Sequence, residues 1–338
     1  MLLTVLADYT DIDIMIILAK VSKTAAGSDD IPYWLYSECA SELSHILSKL
    51  INFSINEGAV PQAWKQAVIT PVPKTTPISS VKDLRPISVT PVISRIVERL
   101  VVRDYLVHYV PREKLIDQYA YKATGNTTCA IINITDTVGR MLETNRYVRC
   151  LLLDFSKAFD TVDHLALLQK LRSYHLPGNV VSWIVSFLTD RTQCTKIDGI
   201  LSELEYINRS IVQGSAIGPM SFSIYVADLK PKGTTNVICK YADDTTLLVP
   251  EMCDITIQDE LENVLAWSSV NKLQLNLTKT KEIVFRRASV NFDVLPQQLS
   301  NVERLECVRL LGIHVVLNHL FRNKLIVYCL YVIKDCIC

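Results

Sequence analysis

Two adjacent carboxylates between two short apolar runs constrain this chain more than any other feature. Asp243 and Asp244 follow Tyr241, and β-branched or aliphatic residues dominate 237–240 and 245–249. Such flanks predict a β-hairpin with both carboxylates at its tip. Like charges this close raise each other's pKa, and a divalent cation such as Mg²⁺, which prefers oxygen ligands, would relieve that conflict. Because Asp is also a common turn residue, the pair alone is a weak indication of a metal site.

A third carboxylate follows another apolar run. Residues 150–153 are wholly apolar and lead directly into Asp154. A run of this length predicts a strand buried on both faces of a layered fold, with Asp154 where the strand leaves the core. The alternative is that Asp154 only terminates the strand or caps a helix.

The cap role is assigned to other residues. Asp160 or Thr161 fits it better, because an amphipathic stretch at 162–171 follows. Asp163 and His164 are then expected in the first helical turn, not as metal ligands.

Three carboxylates on two adjacent strands can hold two metal ions a few ångströms apart. One ion activates an attacking hydroxyl, and the other stabilises a leaving pyrophosphate and the developing charge. This pattern favours nucleotidyl transfer.

The order of further motifs resembles the reverse transcriptase domain of a non-LTR (LINE-type) retrotransposon, closest to the jockey/CR1-like elements. The resemblance runs from about Ile14 to about Leu320. The matching segments, in chain order, are 25–32, 58–65, 71–74, 83–88, 118–122, motif A at 154–160, motif B at 213–219, motif C at 241–244, motif D at 276–280 and the start of motif E at 310–312.

The resemblance implies an α+β right-hand polymerase fold with fingers and palm, in which helices back an antiparallel palm sheet and the thumb is largely missing. The implied domains are an N-terminal helical extension at 1–60, fingers at 61–146 with part of 165–212 contributing to fingers or palm, the palm with motifs A to E at 147–312, and an aberrant apolar tail or truncated thumb at 313–338.

The resemblance also implies the catalytic groups. Asp154, Asp243 and Asp244 match the triad that binds two Mg²⁺ ions, for which Mn²⁺ is a possible substitute. Phe155 is assigned to the metal site and, with Tyr241, to the substrate site. A motif D lysine that protonates the pyrophosphate leaving group corresponds to Lys279, for which a plain surface lysine is the alternative.

Five more residues are implied in substrate binding. Phe159 matches the bulky residue that blocks a ribose 2′-hydroxyl by a clash, unless it only packs in the core. Gln213 and Gly214 match the loop that supports the incoming nucleotide and the template. Lys74 and Arg85 match positions that contact the triphosphate, with solvated surface cations as the alternative.

The charge balance is unusual for a protein that binds polynucleotides. The 338-residue chain has 35 Lys and Arg against 35 Asp and Glu, for a net charge of zero. Phosphate contacts would then need a local basic surface. Arg95, Arg99 and Arg103 share helical i, i+4 spacing and form either such a stripe or a solvated helix face.

Cysteine usage and hydropathy indicate the compartment. The ten Cys include no Cys-x-x-Cys pair, so no zinc site is expected. Cys150 and Cys239 lie in apolar runs, which favours buried free thiols and a nuclear or cytoplasmic location. The uninterrupted apolar part of the tail, 325–333, is too short to span a bilayer, so no membrane contact is expected.

Periodicity and turn residues predict the remaining elements. A hairpin is expected from 193–198 and 203–208 around Gly199, a strand at 64–73 and a loop at 75–82. The predicted helices are 1–24, 38–56, 92–109, 128–145, 179–189, 220–229 and 254–272.

The sequence therefore predicts an RNA-directed DNA polymerase that uses an RNA template, a DNA primer and deoxynucleoside triphosphates. An alternative from another class is a truncated, catalytically inactive remnant that only binds nucleic acid, favoured by the missing thumb and the apolar tail. A group II intron maturase or a telomerase is a further alternative, and the residues of motif A speak against both.

Overall fold

The computed structural model describes residues 8–74, 76–122, 124–207, 209–287 and 295–316. These residues divide into two compact units, one of 8–111 with 159–225 and the other of 112–158 with 226–316. The predictions for 1–7 and for the tail beyond 316 lie outside the described residues.

The described α-helices are α1 (Asp11–Ala19), α2 (Tyr33–Glu38), α3 (Ala40–Asn56), α4 (Val92–Val101), α5 (Val107–Tyr109), α6 (Thr127–Thr144), α7 (His164–Arg172), α8 (Gly178–Leu188), α9 (Gly218–Tyr225) and α10 (Ile257–Val270). The described strands are β1 (Gln66–Pro73), β2 (Leu84–Val89), β3 (Tyr147–Leu153), β4 (Arg191–Ile197), β5 (Ile200–Leu201), β6 (Glu205–Ile207), β7 (Val237–Tyr241), β8 (Asp244–Pro250), β9 (Lys281–Arg286), β10 (Glu303–Arg304), β11 (Cys307–Leu310) and β12 (Ile313–Val316).

The first unit contains a five-stranded sheet in the order β2-β1-β4-β5, with β6 also paired to β4. Strand β1 is antiparallel to β2 and parallel to β4. Strands β5 and β6 both return antiparallel to β4, and Gly199 forms the first turn at a φ of +84°. A positive φ is the conformation that glycine adopts without steric cost. The predicted hairpin around Gly199 is confirmed.

The N-terminal helix is shorter than predicted because a capping box fixes its start. The Thr10 hydroxyl accepts the Asp13 N–H, and the Asp13 carboxylate accepts the Thr10 N–H. The predicted helix at 38–56 appears as α3, whereas the short α2 before it was not predicted. The predicted helix at 92–109 is continuous but changes to a π-helical turn at Val102–Leu106.

The second unit is built on a sheet in the order β10-β9-β3-β8-β7. The central strand β3 pairs antiparallel with β8 on one side and β9 on the other. Helix α6 covers one face of this sheet through its apolar stripe. The shared core consists of Ala130, Ile134, Val138, Leu142, Val148, Cys150, Cys239, Leu248, Ile283, Phe285, Val308, Leu310 and Val315. Burying such a stripe supplies the main stabilising free energy of the unit.

The predicted helix cap before α7 was wrong. Asp163 has extended backbone geometry, and its carboxylate accepts the Ala166 N–H at 3.0 Å, so that Asp163 is the cap. The Asp160 carboxylate instead accepts a hydrogen bond from the Gln213 side chain at 2.6 Å. A cap side chain accepts the second or third backbone N–H of the helix, and Asp163 reaches the third from its position directly before His164.

None of the described helices combines the length with the apolar character that crossing a bilayer requires.

Candidate active site

The two adjacent carboxylates lie at the tip of the β7–β8 hairpin, as predicted. Tyr241 ends β7 and pairs with Asp244, which begins β8. Only Ala242 and Asp243 remain between the strands, and Ala242 has a φ of +56°. Two-residue hairpin loops favour a positive φ at the first loop position, because it matches the twist of the strands. The turn therefore presents Asp243 and Asp244 side by side.

The third carboxylate comes to the same edge of the sheet. Leu153, the last residue of β3, pairs with Thr245 of β8. When the antiparallel register is continued by one residue, Asp154 lies across from Asp244. Directly opposed residues of an antiparallel pair have Cα atoms about 4.5–5.5 Å apart.

A turn from the motif D segment fixes the backbone of Asp154. The Asp154 carbonyl accepts the Asn276 N–H at 2.8 Å, and the Asp154 N–H points to the hydroxyl of the buried Thr280 at 3.4 Å. Phe155 forms a bridge to Leu275 in the same region. The backbone of Asp154 is thus held at the end of β3.

All three carboxylates have raised pKa values. Burial raises the pKa of Asp154, and the charge of Lys279 opposes that rise. Burial also raises the pKa of Asp243, and the charge of Asp154 adds to it. Asp244 has the most exposed side chain of the three, yet the surrounding protein and then the charges of Asp243 and Asp154 raise its pKa to about 6. The three groups therefore destabilise one another when all are ionised.

These residues fit a divalent cation by their chemistry. Their donor atoms are carboxylate oxygens, which suit Mg²⁺ or Mn²⁺. Within the described ranges no three His, Cys, Asp or Glu side chains already form a chelating cluster.

The other predicted residues of this unit have different surroundings. Lys279 is exposed in the turn after Asn276, and its charge opposes the rise in the pKa of Asp154. The Phe155 ring is buried edge-to-face against Trp267, with ring centroids 6.2 Å apart, so only its backbone is available to a metal or substrate. Tyr241 is half-buried at the end of β7.

Phe159 lies in the first unit and is half-buried. Its ring stacks on that of Phe222 with centroids 4.3 Å apart, and its carbonyl accepts the Ile211 N–H at 2.9 Å. The ring is therefore held in one orientation by a fully buried partner. The stacking accounts for the packing role of Phe159. Part of the ring is exposed, and its contact with a sugar stays a prediction.

Gln213 and Gly214 form a backbone link to β2. The Gln213 carbonyl accepts the Ser88 N–H at 2.7 Å, and its side chain donates to Asp160. Gly214 has a φ of +110°, and a Cβ there would lie 2.5 Å from the Ser88 carbonyl oxygen. Only glycine fits this close approach.

Lys74 and Arg85 are exposed on the β1–β2 ribbon. Arg85 pairs with Val72 across the two strands, and the Lys74 N–H donates to the Asp83 carbonyl at 2.7 Å. Their contact with a triphosphate stays a prediction.

The arginine stripe of α4 is interrupted. Arg95 donates to the Thr24 hydroxyl at 2.6 Å and to the Ala25 carbonyl at 2.5 Å, and Arg103 pairs with Asp104. Two of the three predicted phosphate contacts are thus engaged within the protein.

Sequence reasoning missed Glu98. Its fully buried carboxylate accepts the N–H groups of Ala216 at 2.6 Å and Ile217 at 3.3 Å, and thereby anchors the motif B loop. Burial raises the pKa of Glu98, and the nearby charge of Arg191 opposes it. The available signal was an acidic residue between Val97 and Leu100 on the apolar face of α4.

Residues 72–315 match the protein family described as reverse transcriptase (RNA-dependent DNA polymerase). The chain belongs to this family. The RNA-directed DNA polymerase from mobile element jockey of Drosophila melanogaster is 26% identical over 284 residues, which are 80% of this chain and 31% of that protein. Its Drosophila funebris counterpart is 27% identical over 253 residues, 71% of this chain and 27% of that protein. The chain thus spans less than a third of these relatives, and its predicted resemblance to non-LTR elements is confirmed.

A solved structure supports the fold. Apo telomerase from Candida tropicalis, truncated from its C-terminal domain, superposes with a TM-score of 0.50 at 13% identity, covering 87% of this chain and 62% of that one. At this identity the likeness concerns the fold alone. With the family match, it confirms a right-hand polymerase fold of mixed helices and sheets.

Proposed function

We propose that this chain is a reverse transcriptase domain that extends a DNA primer on an RNA template. The primer 3′-hydroxyl attacks the α-phosphate of a deoxynucleoside triphosphate, and pyrophosphate leaves. The observation that carries the proposal is that the pairing of β3, β8 and β7 places Asp154, Asp243 and Asp244 at one end of these strands, where all three have raised pKa values. Perturbed carboxylates grouped in this way are typical of functional sites.

The three aspartates would hold two Mg²⁺ ions, which when bound activate the attacking hydroxyl and stabilise the developing charge. The chain's own residues provide the rest. Lys279 is exposed and electrostatically coupled to Asp154, which suits a proton donor to the leaving pyrophosphate. Phe159, held by stacking on Phe222, would exclude a ribose 2′-hydroxyl.

The finer domain division belongs to the same proposal. The palm would comprise 147–312 around the β3–β8–β7 sheet, and the fingers 61–146 with part of 165–212. Lys74 and Arg85 would contact the triphosphate, while Gln213 and Gly214 would support nucleotide and template. An intracellular location follows from the same substrates.

Primer extension on an RNA template with Mg²⁺ tests the proposal. We expect Asp243→Asn to abolish extension, because it removes a metal-binding carboxylate while preserving the size of the side chain. Asp136→Asn is the matched control, since Asp136 lies partly exposed on α6 of the same unit, 3.1 Å from Arg140. Undiminished extension by Asp243→Asn would remove that residue from the mechanism. Template binding without extension by the wild-type chain would support the inactive remnant instead.

A further inference from the structure

The catalytic turn contains a residue in an unfavourable backbone conformation. Ala242 has a φ of +56° and is 8% exposed. Glycine usually occupies this position of a two-residue hairpin loop, because a Cβ clashes with the backbone at positive φ. An alanine persists there only when its surroundings hold it.

The side chain of Gln118 provides such a hold. It is 1% exposed, and its Oε1 accepts the Ala242 N–H at 2.9 Å and the Ala120 N–H at 3.0 Å. Its Nε2 lies 3.5 Å from the Ala242 carbonyl oxygen, a long contact. Because two N–H donors meet at one atom of the amide, that atom is the oxygen. Gln118 therefore ties the catalytic turn to its own segment.

The segment 117–120, here called the strap, is itself fixed along β7. The Lys240 N–H donates to the Asp117 carbonyl at 2.7 Å, and the Tyr119 N–H donates to the Lys240 carbonyl at 2.8 Å. The Asp117 carboxylate pairs with the buried Lys240 ammonium at 3.1 Å and with Lys230 at 2.7 Å. The strap can thus impose a position on the turn, because backbone and ionic contacts hold it independently of Gln118.

We propose that Gln118 is a positioning residue for the metal-binding carboxylates. It holds Ala242 in the left-handed conformation and so sets the direction in which Asp243 and Asp244 leave the turn. Gln118 acts through the backbone of Ala242, and its own side chain is buried. The role of the carboxylates in this inference rests on the proposed function.

Mn²⁺ binding to the full chain tests the inference without any need for turnover. We expect Gln118→Leu to weaken Mn²⁺ binding by about 10- to 100-fold, as removal of supporting contacts around metal ligands does. The loss of the free Mn²⁺ signal in electron paramagnetic resonance measures it. If Gln118→Leu fails to fold, Gln118→Asn carries the test, since its shorter amide remains polar but does not reach Ala242.

Two further variants separate positioning from general stability. Asn145 is another buried amide of the same unit, which donates to the Met141 carbonyl and accepts the Met252 N–H, both at 2.7 Å, at the opposite end of β3. We expect Asn145→Ala to lower the melting temperature but to keep wild-type Mn²⁺ affinity in the folded protein. Ala242→Gly added to Gln118→Leu should recover part of the lost affinity, because glycine adopts positive φ without cost.

Wild-type Mn²⁺ affinity in both Gln118 variants, or a loss no larger than that of Asn145→Ala, would overturn the inference and leave the proposed function intact. Mn²⁺ binding that depends on Gln118 in a chain that extends no primer would contradict the proposed function alone. A wild-type chain that does not bind Mn²⁺ would overturn both.

Discussion

Replacing Asp244 by asparagine should make the metal-free protein more stable while it removes metal binding. The folded chain raises the pKa of Asp244 from its usual range to about 6, through its surroundings and through Asp243 and Asp154. A carboxylate whose pKa is raised by folding opposes folding whenever it is ionised. Asparagine has nearly the same size and no charge, so Asp244→Asn removes this penalty with little change in packing.

The sign and size of the effect follow from that pKa. Well below pH 4, the carboxylate is protonated in both the folded and the unfolded chain, and the penalty is absent. It grows between about pH 4 and 6 and is complete above the folded pKa. Before screening by solvent is considered, a rise of this size in the pKa corresponds to about 3 kcal/mol in the free energy of unfolding. Because the Asp244 side chain is open to solvent, screening reduces the expected gain to about 1 kcal/mol at pH 7.5.

Thermal unfolding without metal, compared at pH 4 and pH 7.5, measures this gain. We expect the melting temperature of Asp244→Asn to exceed that of the wild type by about 2 °C at pH 7.5 and by much less at pH 4. Mg²⁺ at ten times its Kd should add about 1.4 kcal/mol to the wild type and much less to the variant. Asp136→Asn is again the control, because its neighbour is the cation Arg140.

One result would refute this reasoning. If Asp244→Asn were less stable than the wild type at pH 7.5 without metal, the carboxylate would be stabilising the metal-free fold. The inference that the three carboxylates destabilise one another would then be wrong.

Three other substitutions test other parts of the structure. Phe159→Val should increase ribonucleotide incorporation, measured as the ratio of ribo- to deoxynucleotide extension, because it replaces the ring that stacks on Phe222 with a smaller side chain. An unchanged ratio would count against the gating role. Glu98→Ala should cost about 3 kcal/mol in urea unfolding, because it leaves two backbone N–H groups buried without their acceptor and removes the charge that offsets the burial of Arg191. Asp254→Asn should lower the melting temperature at pH 7 and lose that effect as the pH falls below about 4, because hydrogen bonds depress the pKa of Asp254; equal melting temperatures at pH 7 would contradict it.

The parts of the site that the sequence predicted are those encoded by local patterns. The apolar run before Asp154 and the β-branched flanks of Asp243 specify a strand and a hairpin through nearest-neighbour preferences alone. Their meeting at one edge required the register between β3 and β8, which was available only through the family resemblance. The boundaries of the fingers and palm and the contacts to the nucleotide remain predictions.

The residues that were missed act across long sequence separations. Gln118 contacts Ala242 across 124 residues, and Glu98 contacts Ala216 across 118. No periodicity relates such partners, because periodicity reports only which face of an element is buried. The wrong cap at Asp160 has the same origin, since its carboxylate is engaged by Gln213 from another part of the chain.

The carboxylates of the second unit's sheet differ in whether cationic side chains pair with them, and this difference identifies the site better than any single motif. On β9, the fully buried carboxylate of Glu282 accepts hydrogen bonds from Arg149 at 2.6 Å and from Arg304 at 2.9 Å. This chain, which has as many cationic as anionic residues, therefore pairs a buried carboxylate with arginines elsewhere in the same sheet. Among the described residues, Lys279 is the only cation whose charge opposes a raised pKa in the three aspartates, and it acts on Asp154 alone. Because an unbalanced group of this kind destabilises the apo fold, its presence beside a well-paired carboxylate argues that a cation from solution completes it.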